Sequence, residues 1–310
     1  MLLLLVLIIS FVGLSLIRVS FFEIIKPVAE KTHLLCINKL PQKASFLPEL
    51  KALVCAEDFS TLAHSQIYIT TGLIHLFVVS GAHLILIETL FDKLFSRVPQ
   101  SAQPASLYIK LALLALYSLA CGLNPPITRS LISIFLTVYL LNKHIHWPWH
   151  FKVFAVGLLT LIFNHQWITS LSLQLSWLAA FTVRLGSSYF TTASPFFRQS
   201  LFFIILFPTI VFFQVPSLST IFLNIILSPA LEFLLFPLGL LVLIFNFLYP
   251  LFDFLILIFR KILEASEVDY RHQFYELPSY LVLCNWLLIC SLHVLFHVLN
   301  IRTKRKSIND

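Results

Sequence analysis

Charged side chains are scarce in this chain. Asp, Glu, Lys and Arg make up 11% of its 310 residues, whereas an ordinary soluble domain carries about 25%. A water-facing surface of normal composition is therefore excluded. Segments of about ten residues with alternating polarity are missing, which rules out a transmembrane barrel. The sequence contains no nucleotide-binding P-loop, no Gly-x-Ser-x-Gly elbow and no run of paired acids. It thus has no energy-coupling motif and no catalytic constellation of its own, and neither a cofactor nor a metal is expected. The five cysteines form no metal-ligand spacing.

Hydrophobic residues fill that space. They make up 59% of the chain, with 31 Phe against 7 Gly, and the mean hydropathy is +0.92. This composition predicts an all-α, polytopic helical membrane protein with about 9–10 transmembrane or re-entrant helices of about 20 residues each. Met1–Phe22 has neither a basic start nor a small-residue cleavage site, so it reads as a retained first helix. Residues 23–69 mix charged and apolar side chains and read as an amphipathic, interfacial, extracytoplasmic segment. Cys36 and Cys55 flank its centre, and they either pair as a disulfide, where the segment faces an oxidising compartment, or stay as free thiols. Cys121, Cys284 and Cys290 sit in apolar stretches as small hydrophobes.

Candidate spans follow at about 70–91, 107–123, 127–142, 149–164, 169–186, 200–214, 218–249, 250–263 and 280–300. Lys93, Arg97 and Lys110 lie in one loop, Lys143 and Lys152 in another, and Arg184 and Arg198 in a third. The loops between them, at 123–127, 164–169 and 214–218, are nearly free of basic residues. By the positive-inside rule the basic loops and the tail Arg302–Lys306 are cytoplasmic. Parity then lets 218–249 cross only once. Pro229 and Pro237, with Asn224, Ser228 and Glu232 nearby, read either as a broken or re-entrant helix or as a kinked, tilted one with an interfacial stub.

Polar groups interrupt three of these apolar stretches. Thr71–Ile87 has the hydrophobicity of a span, yet holds His75, Ser80, Gly81 and His83. Polar groups at that depth cost roughly 1 to 3 kcal/mol or more when unpaired, so they face protein or a water-filled cavity. On a continuous helix the two histidines stand about 12 Å apart along the axis and about 80° around it, which excludes one shared metal ion. Gly81 permits either a break in the helix or a close backbone approach.

The second stretch is Cys121–Ser133. Gly122 and Asn124-Pro-Pro126 make a tight turn, and Arg129 enters the first turn of the next helix, where a cation is disfavoured without a counter-charge. It reads either as snorkelling to headgroups or as a guanidinium presented to a phosphate or carboxylate. The third is Leu171–Phe181, where Ser172, Gln174 and Ser176 put neutral hydrogen-bonding groups inside a span. They either line a path or simply hold helices together. His144–His150, with Trp147 and Trp149, reads as a membrane-surface anchor.

In order, these stretches resemble the membrane domain of the ComEC family of competence proteins. The family's His-Leu-Leu-Ala-Ile-Ser-Gly-Leu-His block is similar to His75–His83, preceded here by Gly72. Ala52–Asp58 occupies the place of Ala-Leu-Leu-x-Gly-Asp with its Gly replaced. Tyr117–Ser130 is similar to Gly…Pro-Ser-x-x-Arg-Ala, and Ser172–Ala179 to Gly-Phe-Gln-Leu-Ser-Phe-Leu-Ala. Phe222–Pro229, with Phe236–Leu240, is similar to Asn-Leu-x-x-x-Pro…Pro-Leu-Gly. The family's Asp-Pro before the Gln-Leu-Ser block stands here as Asn164-His165-Gln166.

The resemblance implies an inner-membrane channel that carries single-stranded DNA into the cytoplasm during natural transformation. His75, Ser80, Gly81, His83, Arg129, Gln174, Ser176 and Asn224 are then expected along the path, with helix breaks at Gly81, Pro229 and Pro237. It also implies an extracytoplasmic DNA receptor and a cytoplasmic ATP-driven motor. The chain ends soon after its last span, so a separate nuclease is expected rather than an enzymatic domain. Membrane lipids surround the bundle, and the pore lies either within one chain or between copies in a homo-oligomer. The alternative is a secondary transporter or channel for a small anionic solute, which would carry an internal repeat; none is evident. A membrane-embedded hydrolase would need a nucleophile or metal near His75 or His83.

Overall fold

The structure is a computed structural model that describes residues 20–58, 67–68, 71, 73, 81–97, 99, 102–190, 192–210, 218–266 and 279–309, together with Gly13. His75, Ser80, residues 211–217 and most of 1–22, where a first helix is expected, lie outside the described residues. Among the described residues the fold is all-α, with no strand. The helices are α1 (Phe21–Lys39), α2 (Leu47–Cys55), α3 (Gly81–Phe95), α4 (Gln103–Ala120), α5 (Pro125–Asn142) and α6 (Trp149–Phe163). They continue as α7 (Leu171–Tyr189), α8 (Pro195–Ile210), α9 (Leu218–Ala230), α10 (Phe236–Ile244), α11 (Tyr249–Ser266) and α12 (Ser279–Asn309).

Two helices, Ile221–Ile244 and Tyr280–Leu299, are long and apolar enough to cross a membrane, and Trp149–Phe163 and Phe196–Phe207 are shorter apolar helices. Large apolar side chains stand exposed all over the surface, among them Tyr108, Ile204, Ile226, Phe233 and Phe247. Water would penalise so much exposed apolar area, whereas lipid does not. The chain is an all-α membrane protein.

Its core has two lobes. One gathers α2, α3, α4, α10 and α11 around Leu50, Leu53, Leu84, Leu114, Phe236 and Phe252. The other joins α6, α7, α8 and α12 around Phe154, Trp177, Phe181 and Ile289. Helix α5 stands between them. Gly157 lets α6 approach α7 closely, because a Cβ there would collide with the Trp177 ring.

The bundle has a turn end, where 121–124 and 164–170 lie, and a basic end, where α3, α5 and α7 finish. Helix α1 spans the turn end. Ser20 Oγ donates to Phe163 O and Phe22 packs on Trp167, while His33 Nδ1 lies 3.0 Å from Ala120 O. Phe163 and Ala120 are the last residues of α6 and α4. Phe22, Lys26, Ala29, His33, Cys36 and Leu40, spaced four and three apart, form the inward stripe of α1.

Helix α2 is buried against α10, where Gly239 lets Val54 sit against the backbone. Its entry is held by Asp253, which accepts from the Ser45 and Phe46 amides at 2.8 and 3.2 Å. Its last turn is held by Tyr117, whose hydroxyl donates to Val54 O at 3.2 Å. Within it, Glu49 accepts from the Tyr68 hydroxyl and faces Arg260 at 3.9 Å. Burial, with the Glu49 carboxylate beside it, pushes the Tyr68 phenol up. Cys36 and Cys55 are disulfide-bonded, with Cα atoms 6.0 Å apart. The segment expected at 23–69 as an interfacial layer is thus built into the main core from Cys36 to Ala56.

Among the described residues, the helix expected over 70–91 runs as α3 over Gly81–Phe95, and the Thr71 and Leu73 amides turn back on Ile67 and Tyr68. Three expectations need correction. Lys110, expected in a loop, is buried within α4 and paired with Asp92 at 2.7 Å and Glu88 at 3.5 Å. Acids four residues apart on α3 reach one lysine from successive turns. The segment 250–263, expected to span, is α11, which packs on α2 through Asp253 and Arg260.

The third concerns Pro229 and Pro237, which do not break their helix. Pro229 lies inside α9, and a π turn at Leu231–Leu235 joins α9 to α10 with helical backbone on both sides. The Phe236 amide bonds back to Leu231 O, a wider closure than the α-helical one. The widened turn absorbs the donor that Pro237 lacks and the crowding its ring would cause. This long helix also runs opposite to the direction expected from the loops. Phe222 pairs with Phe196 at the start of α8, near the basic end. Phe236 pairs with Tyr117 near the turn end. No Lys or Arg occurs between Arg198 and Arg260, so the charge rule had nothing to read there.

Replacing Cys36 or Cys55 with Ser is expected to cost about 3 kcal/mol, the loop-closure contribution of a crosslink across some 15–20 residues. Thermal unfolding in detergent measures this as a lowered Tm. Alkylation with peptide mapping should find both thiols unreactive in the native chain until reductant is added.

Candidate functional site

The candidate site is built on the first two turns of α5. Gly122 and Leu123 both adopt left-handed backbone, with φ of 70° and 52°, and reverse the chain after α4. Pro125 and Pro126 then start α5, where their missing N–H groups fall among donors that have no helical partner. Thr128, Arg129 and Ser130 follow, and all three are buried.

Successive helical residues point about 100° apart, so these neighbours serve different helices. Ser130 meets α3 at Gly81, where a Cβ would collide with the Ser130 hydroxyl and press on Pro126 O. Gly81 thus marks a close helix approach. Arg129 turns to α7, and its Nε donates to Ser176 Oγ at 2.9 Å. Arg129 has no ion pair with a carboxylate among the described residues. Its two terminal nitrogens keep their donors, and it stands at the positive end of the α5 dipole.

His83 lies two residues beyond Gly81, buried, with its ring 4.3 Å from that of Phe236. Phe236 in turn meets Tyr117 edge-on at 6.4 Å. The fold therefore assembles Gly81, His83, Arg129 and Ser176 along the α3–α5–α7 junction near the turn end. Asn224 is buried on α9, in the turn after Phe222 and toward the basic end, apart from that group.

Gln174 is not available to line a path. Its Nε2 donates to Ile168 O at 3.3 Å and Val282 O at 3.2 Å, and its Oε1 accepts from Asn285 Nδ2 at 2.9 Å. Trp286 Nε1 donates to the same Ile168 carbonyl at 2.7 Å. An amide surrounded by apolar side chains is held by whatever polar group the next helix presents. Gln174 therefore clamps α7 to α12.

Several polar residues escaped the sequence reading. Asn285 lies 111 residues from Gln174, and no local pattern joins them. His150 does not act as a surface anchor. It is buried in the first turn of α6, its ring 5.6 Å from His293 and 5.9 Å from His297 on α12. The four-residue spacing of His293 and His297 was the available signal. Among the described residues, no three His, Cys, Asp or Glu side chains converge as a metal site.

Gln174→Leu is expected to destabilise the fold by about 1–3 kcal/mol, because it removes the buried hydrogen bonds to Asn285 and to the Ile168 and Val282 carbonyls. Adding Asn285→Leu to that variant should recover part of the loss. A double-mutant cycle of thermal unfolding in detergent measures both.

The sequence pattern of the Competence protein family matches residues 57–301. No curated protein and no solved structure matches the chain. The match runs over well over half of the chain and takes in α3 to α11 and most of α12, including α3, α5 and α7, which carry Gly81, His83, Arg129 and Ser176. The chain belongs to the Competence protein family.

Proposed function

We propose that this chain is a multi-pass protein of the bacterial inner membrane that passes single-stranded DNA into the cytoplasm during natural transformation. The observation that carries the reading is Arg129, a buried guanidinium oriented by Ser176 and lacking a carboxylate. A cation in that setting favours an anion, and a phosphate oxygen suits its unused terminal donors. Membership of the Competence protein family supports DNA as that anion.

Conduction of a polyanion calls for few cations on the way, because many would hold the strand rather than pass it. Neutral hydrogen bonders and aromatic faces are the remaining means, with base stacking worth about 1–3 kcal/mol per base. Ser176 supplies such a hydroxyl at Arg129, and His83, Phe236 and Tyr117 form a run of rings on α3, α10 and α4. His75 and Ser80 precede Gly81 in sequence and belong to the same reading.

The basic end is the cytoplasmic one under the positive-inside rule. The turn end then faces outward, and the Cys36–Cys55 disulfide falls on the oxidising side. Strand delivery falls to an extracytoplasmic DNA receptor, pulling to a cytoplasmic ATP-driven motor, and degradation of the other strand to a separate nuclease. The chain itself is a conduit rather than an enzyme, working within one copy or between copies.

Arg129→Ala is expected to lower entry of labelled DNA into the cytoplasm by about tenfold to a hundredfold, the equivalent of a lost charge-assisted hydrogen bond of about 1.5–3 kcal/mol. Arg129→Lys should retain part of the entry, and membrane abundance should not change. Normal transformation in a strain deleted for this chain would sink the reading.

A further inference from the structure

Glu232 has no role in the path along α5, and its setting calls for one. It sits in the π turn inside the apolar helix Ile221–Ile244. Leu231 and Leu235 beside it are buried, Phe233 and Leu234 are exposed, and Glu232 is half-buried between them. Its carboxyl group has no hydrogen bond or ion pair among the described residues. Of the other elements packed closely on the π turn, α11 carries the charged groups. Asp253 there serves the Ser45 and Phe46 amides, Arg260 faces Glu49 and Glu264, and Lys261 is exposed.

An ionised carboxylate in this position would be an uncompensated charge at membrane depth, while the protonated form is neutral and can donate. Two carbonyls of the same helix lack their ladder donors. The Phe236 amide is taken by Leu231 O, and residue 237 is a proline, so the Glu232 carbonyl has no donor from the helix ladder. Pro229 likewise removes the donor that would serve the Ile225 carbonyl. Ser228 and Asn224 lie four and eight residues earlier, on the face of Glu232, at steps of about 6 Å toward the first turn of α9. π turns inside long helices recur at functional sites.

We propose that Glu232 is a proton-binding site that takes up and releases a proton through the Ser228–Asn224 row, tying proton movement across the membrane to this helix. One carboxyl, one carbonyl and one hydroxyl are too few oxygens to replace the hydration shell of a metal cation, so a proton is the ligand. Protonation rests on the surroundings of Glu232 alone; its coupling to transport rests on the DNA-channel reading.

The test is labelling of the full chain in membrane vesicles with dicyclohexylcarbodiimide, which attacks protonated carboxyls in apolar surroundings. Peptide mass spectrometry should find the adduct on Glu232, declining about tenfold for each pH unit above its titration point, absent in Glu232→Gln and insensitive to sodium. No adduct on Glu232 at any pH, or protection by sodium at constant pH, overturns the proton site. Glu232→Gln should also stop labelled-DNA entry at normal membrane abundance, with Glu232→Asp keeping part of it; full entry in Glu232→Gln overturns the coupling. Arg129→Ala should still label at Glu232, so loss of the DNA path and loss of the proton site are told apart.

Discussion

No water is available inside a bilayer to satisfy a polar group, and the described part of this molecule is organised around that condition. Each helix must answer its polar side chains from a neighbouring helix or turn them toward a ligand. Gln174 is answered by Asn285 and two carbonyls, Lys110 by Glu88 and Asp92, and Glu49 by Tyr68 and Arg260. These pairings fix which helices touch. The apolar lobes around them supply most of the buried area but little specificity, because one leucine replaces another at small cost.

Against that background the residues with incomplete answers stand apart. Arg129 has a serine where a cation would have a carboxylate, and Glu232 has no hydrogen bond or ion pair among the described residues. One is a basic and the other an acidic side chain, and they stand on helices of opposite character. α5 is fixed by its two prolines and by close contact with α3, whereas the helix of Glu232 carries a wide turn and freed carbonyls. A rigid cation and a deformable acid are suited to different tasks, anion contact for the first and proton exchange for the second.

The turn end adds a second constraint. Helix α2 is buried on nearly every side and is attached by a disulfide, by Asp253 at its start and by Tyr117 at its finish. It therefore belongs to the same folding unit as α3, α4 and α10. The interfacial, amphipathic reading of 23–69 did not show the burial of Cys36 to Ala56. Most of the segment's charge is exposed, but Glu49 is buried against Arg260 and Lys51 pairs with Glu57.

Composition by itself determined the helical class, the membrane setting and most helix positions, because each follows from the solvent a segment can tolerate. The motif order was enough to single out Arg129, Ser176, Gly81 and His83, since polar residues are conspicuous in apolar runs. Only the tertiary structure decided what those residues do. It turned Gln174 from a lining residue into a clamp, made Gly81 a helix contact, and converted two prolines from a break into a π turn. It also reversed the direction of α9 and laid α11 against α2. Hydrophobicity states only that a segment is buried. Which neighbour buries it, and which polar partner waits there, is settled by contacts between residues up to about two hundred positions apart, and no local pattern encodes them.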